Sequence, residues 1–244
     1  MLFLPKKLNI DYATGTHQGS RVQNEDRVLA ISDGDDYCFV VADGLGGPGL
    51  GDVAAQIVVD VFENDFSAKR LTGRAFLKHA FAEAQKELLN TQIEKNAKNQ
   101  MKTTATVLLV EKNKAIWGHI GDSRLYLFKR GKLAFRTADH SVVQHLFETG
   151  KIKEEDIGNH GDRHSLLRAL GTNRFDYELS QTRTLRSGDA LLLCTDGLWE
   201  HLTTDNLKPQ AYAADTWLNN LFEVVSSSQS DDLDNYSAIT IIVE

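Results

Sequence analysis

The chain has 244 residues, 41% of them hydrophobic, and only 3 prolines, which is apolar material enough for one sizeable core in a single domain over residues 1–244. Its formal net charge of −7, with both signs scattered, argues against a nucleic-acid or anionic-membrane partner, which would require a clustered basic face. The opening Met1-Leu2-Phe3-Leu4-Pro5-Lys6-Lys7 is too short in apolar length for a signal peptide, and no apolar run approaches the roughly 18 residues of a membrane span.

In chain order, residues 9–16, 27–32 and 37–42 read as strands, from β-branched and aromatic content between Gly/Asp turns. Residues 51–66 read as a helix with Val53, Ala54, Ile57, Val58, Val61 and Phe62 on one apolar stripe. A longer helix from about 74 to 96 buries Leu77, Ala80, Phe81, Ala84 and Leu88 and turns Lys78, Glu83, Lys86 and Glu87 to water. Short strands follow at 103–110, 115–120, 125–128 and 132–136, as in an antiparallel meander, with a hairpin at Lys129-Arg130-Gly131-Lys132. Residues 142–147 begin a short helix, and 150–168 are polar and weakly patterned. Strands return at 177–184 and 190–194, a helix at 216–227 and a last strand at 238–243. Strands, then helices, then strands predict an α+β fold with sheets covered by helices, not alternating βαβ units. Cys38 and Cys194 fall inside strand-like apolar runs with no CxxC or Cys/His zinc spacing, so they read as buried thiols of a reducing compartment, the cytoplasm.

Acidic residues recur in short turn signatures. Glu25 stands in Arg21-Val22-Gln23-Asn24-Glu25-Asp26, Asp43 in Val40-Val41-Ala42-Asp43-Gly44-Leu45-Gly46-Gly47, and Asp122 in Gly121-Asp122-Ser123-Arg124. Asp196 stands in Leu193-Cys194-Thr195-Asp196-Gly197 and Asp234 in Asp234-Asn235-Tyr236-Ser237. Asp43, Asp122 and Asp196 each follow an apolar run that reads as a buried strand, whose rigid backbone would aim the carboxylate beyond the sheet edge. Convergent carboxylates repel unless cations lie between them, and Mg²⁺ and Mn²⁺ favour carboxylate oxygen and water over sulfur or imidazole. The set predicts a site for two divalent ions.

The signatures RxxNED, DGxGG, TTA, GDSR, TDGLW and DNxS, in this order and over residues 16–243, together resemble the metal-dependent protein phosphatase family, the type 2C serine/threonine phosphatases of the bacterial stand-alone type. The resemblance implies a four-layer αββα sandwich, two antiparallel sheets face to face with helices outside, and a binuclear Mn²⁺ or Mg²⁺ centre at one end. Asp43 would bridge the two tight ions, Gly44 would offer its backbone carbonyl to one, and Asp196 and Asp234 would ligate the other. Glu25 would act mainly through metal-bound water, Arg21 would grip the substrate phosphate, and Asp122 with Asp196 would hold a weaker third ion. The implied activity is hydrolysis of phosphoserine and phosphothreonine in proteins, by a monomeric cytoplasmic enzyme opposing a serine/threonine kinase. Residues 150–168 correspond to the flap of the bacterial relatives. There Lys151, Lys153, Arg163, His164 and Arg168 could contact a phosphoprotein, with Glu154, Glu155 and Asp156 offsetting their charge.

Those residue types suit the chemistry. Phosphate monoesters hydrolyse extremely slowly unaided. Two metals about 3.5–4 Å apart can share a water, lower its pKa and neutralise the phosphoryl oxygens, while a planar guanidinium donates two hydrogen bonds to phosphate at once. The chain departs from the family pattern at Leu45, where eukaryotic relatives often carry histidine, at Met101-Lys102-Thr103-Thr104, where Met-Gly-Thr-Thr is usual, and at Pro48. Neither Lys102 nor Pro48 removes a proposed ligand; both would reshape the cleft rim.

Other readings carry less. Gly44-x-Gly46-x-x-Gly49 matches a dinucleotide fingerprint, but Glu63 and Asp65 lie at a helix end, not on a second strand, and Asp43 would repel a pyrophosphate. His140, His160 and His164 read first as surface or capping residues, Asp139 as a helix N-cap, and Asp26 as a support for Arg21 or a turn. Asp231 and Asp232 compete with Asp234, but the Asp234-Asn235 pair before a terminal strand decides for Asp234. A catalytically impaired binding module and a hydrolase of small phosphate esters are the alternatives to the phosphoprotein phosphatase.

Overall fold

The computed structural model describes residues 8–46, 50–209, 213–228 and 232–244, without the side chains of Glu154 and Asn159. The opening seven residues, Gly47, Pro48 and Gly49 of the glycine-rich motif, and Asp231 lie outside the described residues. The elements are β1 (Ile10–His17), β2 (Arg27–Asp33), β3 (Asp36–Ala42), β4 (Gly44–Leu45), α1 (Gly51–Ala68), α2 (Gly73–Glu94), β5 (Lys102–Thr103) and β6 (Ala105–Glu111). There follow β7 (Lys114–Ile120), β8 (Arg124–Lys129), β9 (Lys132–Arg136), α3 (Val142–Glu148), a 3₁₀ turn (Glu154–Asn159), β10 (Glu178–Leu179) and β11 (Arg183–Thr184). The chain closes with β12 (Asp189–Cys194), α4 (Asp196–Trp199), α5 (Thr204–Leu207), α6 (Ala214–Ser226) and β13 (Tyr236–Val243). None of the helices is long and apolar enough to cross a membrane, among the described residues.

The strands form two antiparallel sheets, a 5-stranded one in the order β1-β13-β12-β8-β9 and a 6-stranded one in the order β10-β7-β6-β3-β2 with β11 also on β7. Alternation along the central strands divides the apolar residues between two interfaces. On β3, Phe39 and Val41 face the other sheet, while Cys38, Val40 and Ala42 face the helices. On β12, Leu191 and Leu193 join the inter-sheet core, and Leu192 and Cys194 lie under α6. One outer layer is α1 and α2, whose Val58, Phe62, Leu77, Phe81 and Leu88 cover β3, β6 and β7. The other is α6, whose Trp217 and Leu221 cover the 5-stranded sheet. Three apolar interfaces between four layers make the expected αββα sandwich, and both cysteines are buried thiols.

Three expectations change in detail. The strand expected at 103–110 is split at Thr104, because Lys102–Thr103 pairs with β4 while Ala105–Glu111 runs between β3 and β7. Thr104 is diverted to Asp43, as described below. The strand expected at 177–184 is two short pieces, β10 and β11, whose register on β7 slips by one residue between them. At the slip, Ser180 Oγ accepts the Trp117 N–H at 3.0 Å in place of a ladder carbonyl. The single-turn helices α4 and α5 were not expected; a helical period does not register in so few residues.

Truncation of Leu191, fully buried between the sheets, should cost about 2–5 kcal/mol through lost burial and a residual cavity. Urea melts of Leu191→Ala should show a lower midpoint with an unchanged slope.

Candidate metal centre

One end of the sandwich collects the strand termini that carry the acidic signatures. Asp43 follows β3 of one sheet; Asp122 precedes β8, Asp196 follows β12 and Asp234 precedes β13 of the other. Each is fixed through its backbone. The Asp43 N–H donates to Thr104 Oγ1 at 3.0 Å, and its carbonyl accepts from Thr104 N at 2.9 Å and Thr103 Oγ1 at 2.8 Å. Thr104 Oγ1 also bonds Ser123 Oγ at 2.7 Å, which ties the Asp43 turn to the Gly121-Asp122-Ser123 turn. That turn needs glycine at 121: its φ is +100°, and a Cβ there would lie 2.5 Å from the Thr104 side chain. Trp199 Nε1 donates to the Asp122 carbonyl at 3.0 Å, and His140 grips Gly121 twice, by its N–H at 2.9 Å and its Nδ1 at 3.2 Å.

Asp196 and Asp234 are brought together by a close approach of backbones. A Cβ on Gly197 would fall 2.1 Å from the Asn235 carbonyl, so only glycine fits after Asp196. Asn235 then organises the opposite loop: its Oδ1 accepts from Glu25 N at 2.8 Å, and its Nδ2 donates to the carbonyls of Gln18 at 2.7 Å and Gln23 at 3.0 Å. Glu25 reaches over the start of α1, with Oε2 2.5 Å from where a side chain on Gly51 would begin. Arg21 donates from Nη2 to Asp234 Oδ2 and from Nε towards Oδ1, both at 3.0 Å.

The result is a cleft of about 480 Å³ lined by Arg21, Glu25, Asp43, Gly44, Asp122, Asp196 and Asp234, among others. One carboxylate oxygen from each of Asp43, Asp122 and Asp196 lies within 4.8 Å of the other two. Burial, reinforced by Asp196, holds the Asp43 and Asp122 carboxyls well above the usual range. Burial likewise pushes Asp26 up to about 7. The basic side chains lining the cleft are Arg21 and His164, against five carboxylates, so negative charge is in excess. A buried, all-oxygen, under-neutralised donor set fits hard divalent cations and poorly fits soft ones.

All the sequence-predicted site residues line this cleft. Other expectations are corrected. Asp26 does not meet Arg21: it is buried and accepts from Thr195 Oγ1 at 2.9 Å, while Thr195 Oγ1 accepts from Ser237 N at 2.9 Å. Asp139 is not a helix cap. It binds the buried Arg124 through both oxygens, at 2.8 and 2.6 Å, and Ser141 caps α3. Arg124 also stacks on Trp199, 3.3 Å from the ring centre. His164 is no mere surface residue: its Nδ1 lies 3.7 Å from Asp196 Oδ2, which raises its pKa above the ordinary value. His160 stays outside the cleft lining, with Nδ1 accepting from Asp162 N at 3.1 Å. Asp232 is exposed and away from the cleft. The Asn235 clamp was present in the sequence only as a neighbour of Asp234; an asparagine side chain gives no pattern that names its partners.

Comparison with known proteins agrees with this geometry. The family model described as protein phosphatase 2C matches residues 15–236. The serine/threonine phosphatase stp of Listeria welshimeri is 33% identical over 184 residues, covering 73% of each chain. The serine/threonine protein phosphatase PstP of Mycobacterium tuberculosis is 32% identical over 205 residues, 82% of this chain and 38% of that protein. The crystal structure of M. tuberculosis PstP/Ppp superposes with a TM-score of 0.85 at 29% identity over 96% of this chain and 99% of that one. The PstP catalytic domain in complex with 2 manganese ions superposes with a TM-score of 0.83 at 28% identity, over 97% of this chain and 99% of that one. The chain belongs to the protein phosphatase 2C family and is a metal-dependent serine/threonine protein phosphatase.

Proposed function

We propose that Asp43 is the carboxylate shared by two divalent ions, Mn²⁺ or Mg²⁺, with the Gly44 carbonyl on one and Asp196 and Asp234 on the other. Glu25 would complete the shell through water, and Asp122 with Asp196 would hold a weaker third ion. The observation that carries this reading is the convergence of three carboxylates within 4.8 Å in a cleft whose rim holds an arginine. Ions bound there would acidify a water and neutralise the phosphoryl oxygens.

The chain's own groups supply position. The threonine and asparagine bonds fix the carboxylates before any ligand arrives, so little reorganisation is needed at the moment of reaction. Arg21 takes the substrate phosphate. Its Nε–Nη2 edge is engaged by Asp234, which orients the guanidinium and leaves Nη1 for a second acceptor. Leu45 offers no proton where eukaryotic relatives often have histidine. The substrate is a phosphorylated protein, and we assign it to the targets of a cognate serine/threonine kinase, with a monomer acting in the cytoplasm. The whole chain acts as one catalytic domain, and residues 150–168 serve as its flap.

Asp43→Asn should abolish turnover of a phosphothreonine peptide in Mn²⁺, by about 10³-fold or more, as chelator does to the unaltered enzyme. A variant with near-normal rates would exclude Asp43 as the bridge. The same residue shapes stability. Its raised pKa, with that of Asp26 near 7, means that the fold binds protons more tightly than the unfolded chain. Stability is therefore lost as pH rises from about 4 through these folded values. In chelator the melting temperature should drop by several degrees between about pH 6 and pH 8, and Asp43→Asn should blunt that drop.

Arg21→Ala should chiefly raise KM, with a smaller fall in kcat, because phosphate is gripped in ground and transition states alike. Calorimetric Mn²⁺ binding should change little; a collapse of metal affinity would make Arg21 a support for Asp234 instead.

Asp122→Ala should spare the two tight ions but shift the Mn²⁺ dependence of kcat to higher concentration. An unchanged dependence with a lowered melting temperature would reduce Asp122 to a turn residue.

A further inference from the structure

Beside the metal cleft lies a second hollow of about 370 Å³, which shares Leu45, His164 and Leu166 with it. The two differ in sign. The cleft presents five carboxylates, whereas the hollow is lined by Lys102, Arg168 and Arg174 and by no acidic residue. In a chain of net charge −7 this is a local inversion.

The basic residues are not equivalent. Arg168 already shares its charge with Asp176 and Glu178, each 3.6 Å away. Lys102 and Arg174 have no carboxylate at ion-pair distance among the described residues. Arg174 is exposed and Lys102 half-buried. Lys102 stands directly opposite Leu45 in the β4–β5 pair, so the two side chains share one face of that ribbon. Lys102 stands where Met-Gly-Thr-Thr is usual in the family, and it and Leu45 line the same hollow. Cations that reach solvent and have no carboxylate partner among the described residues, at the edge of a phosphate site, will attract a second anion on whatever enters it.

We propose that this hollow is an anion subsite for the substrate peptide. It takes an acidic side chain or a second phosphate near the phosphoserine or phosphothreonine held in the cleft, and Lys102 and Arg174 are its specificity-determining cations. The inference rests on the phosphatase reading of the cleft. Contiguity of the two hollows makes one extended peptide sufficient, since each residue spans about 3.3 Å. Two partly exposed charge pairs are worth about a tenfold change in KM.

The test is steady-state kinetics of the Mn²⁺-loaded enzyme on phosphothreonine peptides that differ only in flanking residues: alanine, glutamate, a second phosphoserine, or lysine. p-Nitrophenyl phosphate, too small to reach the hollow, serves as the control. The glutamate and doubly phosphorylated peptides should show KM about tenfold below the alanine peptide, with the lysine peptide above it. The larger of the two effects tells whether carboxylate or phosphate is the better occupant. Lys102→Ala combined with Arg174→Ala should close these gaps, and Lys102→Glu should favour the lysine peptide. Turnover of p-nitrophenyl phosphate and the melting temperature should stay unchanged in both. Equal KM for all four peptides, or gaps that survive in the double variant, would overturn the subsite. Absence of metal-dependent turnover of every substrate, p-nitrophenyl phosphate included, would overturn the phosphatase reading and the subsite with it.

Discussion

The structure depends on keeping like charges together. Carboxylate oxygens of Asp43, Asp122 and Asp196 lie within 4.8 Å of one another, and full charges at that separation would repel by about 3 kcal/mol per pair at an effective dielectric near 20. Side chains relieve part of this, since His164 stands beside Asp196 and the raised pKa values of Asp43 and Asp122 favour their neutral forms. What resists the remainder is backbone. Thr103 and Thr104 clamp the Asp43 turn, Ser123 joins it to the Asp122 turn, and the Thr195–Ser237 bonds hold the Asp196 turn to β13. The repulsion is held by hydrogen bonds that are themselves buried and costly to break. Such a site is pre-organised for cations, and the fold gives up stability to keep it so.

The sandwich makes that restraint possible because the carboxylates come from both sheets. Asp43 belongs to the 6-stranded sheet, and Asp122, Asp196 and Asp234 to the 5-stranded one. Their separation is therefore set by the inter-sheet core, where Phe39, Val41, Leu191, Leu193, Ile239 and Ile241 interdigitate. Core packing at this interface does more than stabilise. It is the gauge that sets how far apart the ligands stand, so a change of volume between the sheets is felt at the cleft.

Most of the fold was legible because its signals were local and repeated. Short apolar runs marked β3, β6 and β12, and the apolar stripes marked α1 and α2 to within a few residues. Three acids of the site, Asp43, Asp122 and Asp196, were legible because each adjoins a glycine dictated by geometry, Gly44 by its contact with Gly51, Gly121 by its positive φ and Gly197 by its contact with Asn235. What stayed hidden was set by partners distant in sequence. Asp26 looked like an adjunct of Arg21 but is held by Thr195, and Asp139 looked like a cap but neutralises Arg124. The break at Ser180 follows from a hydroxyl that replaces a ladder acceptor. His164 lies in a segment with no periodicity, and only the three-dimensional path of that segment carries it to Asp196.

The loop that bears Arg21 and Glu25 is stitched to Asp234 and Asn235 across more than two hundred residues, and β1 finds its ladder neighbour in β13, the only one among the described residues. Contacts of such sequence separation are the slowest to form. During synthesis the threonine clamps and the helices over β3 can assemble early, but the Arg21 guanidinium lacks its Asp234 partner until the start of β13 has been made and inserted. The acidic cleft is thus complete only once the last strand is in place. A chain that ends before β13 lacks Asp234, Asn235 and the ladder partner of β1, so the two ends of the sequence meet at the cleft they jointly build.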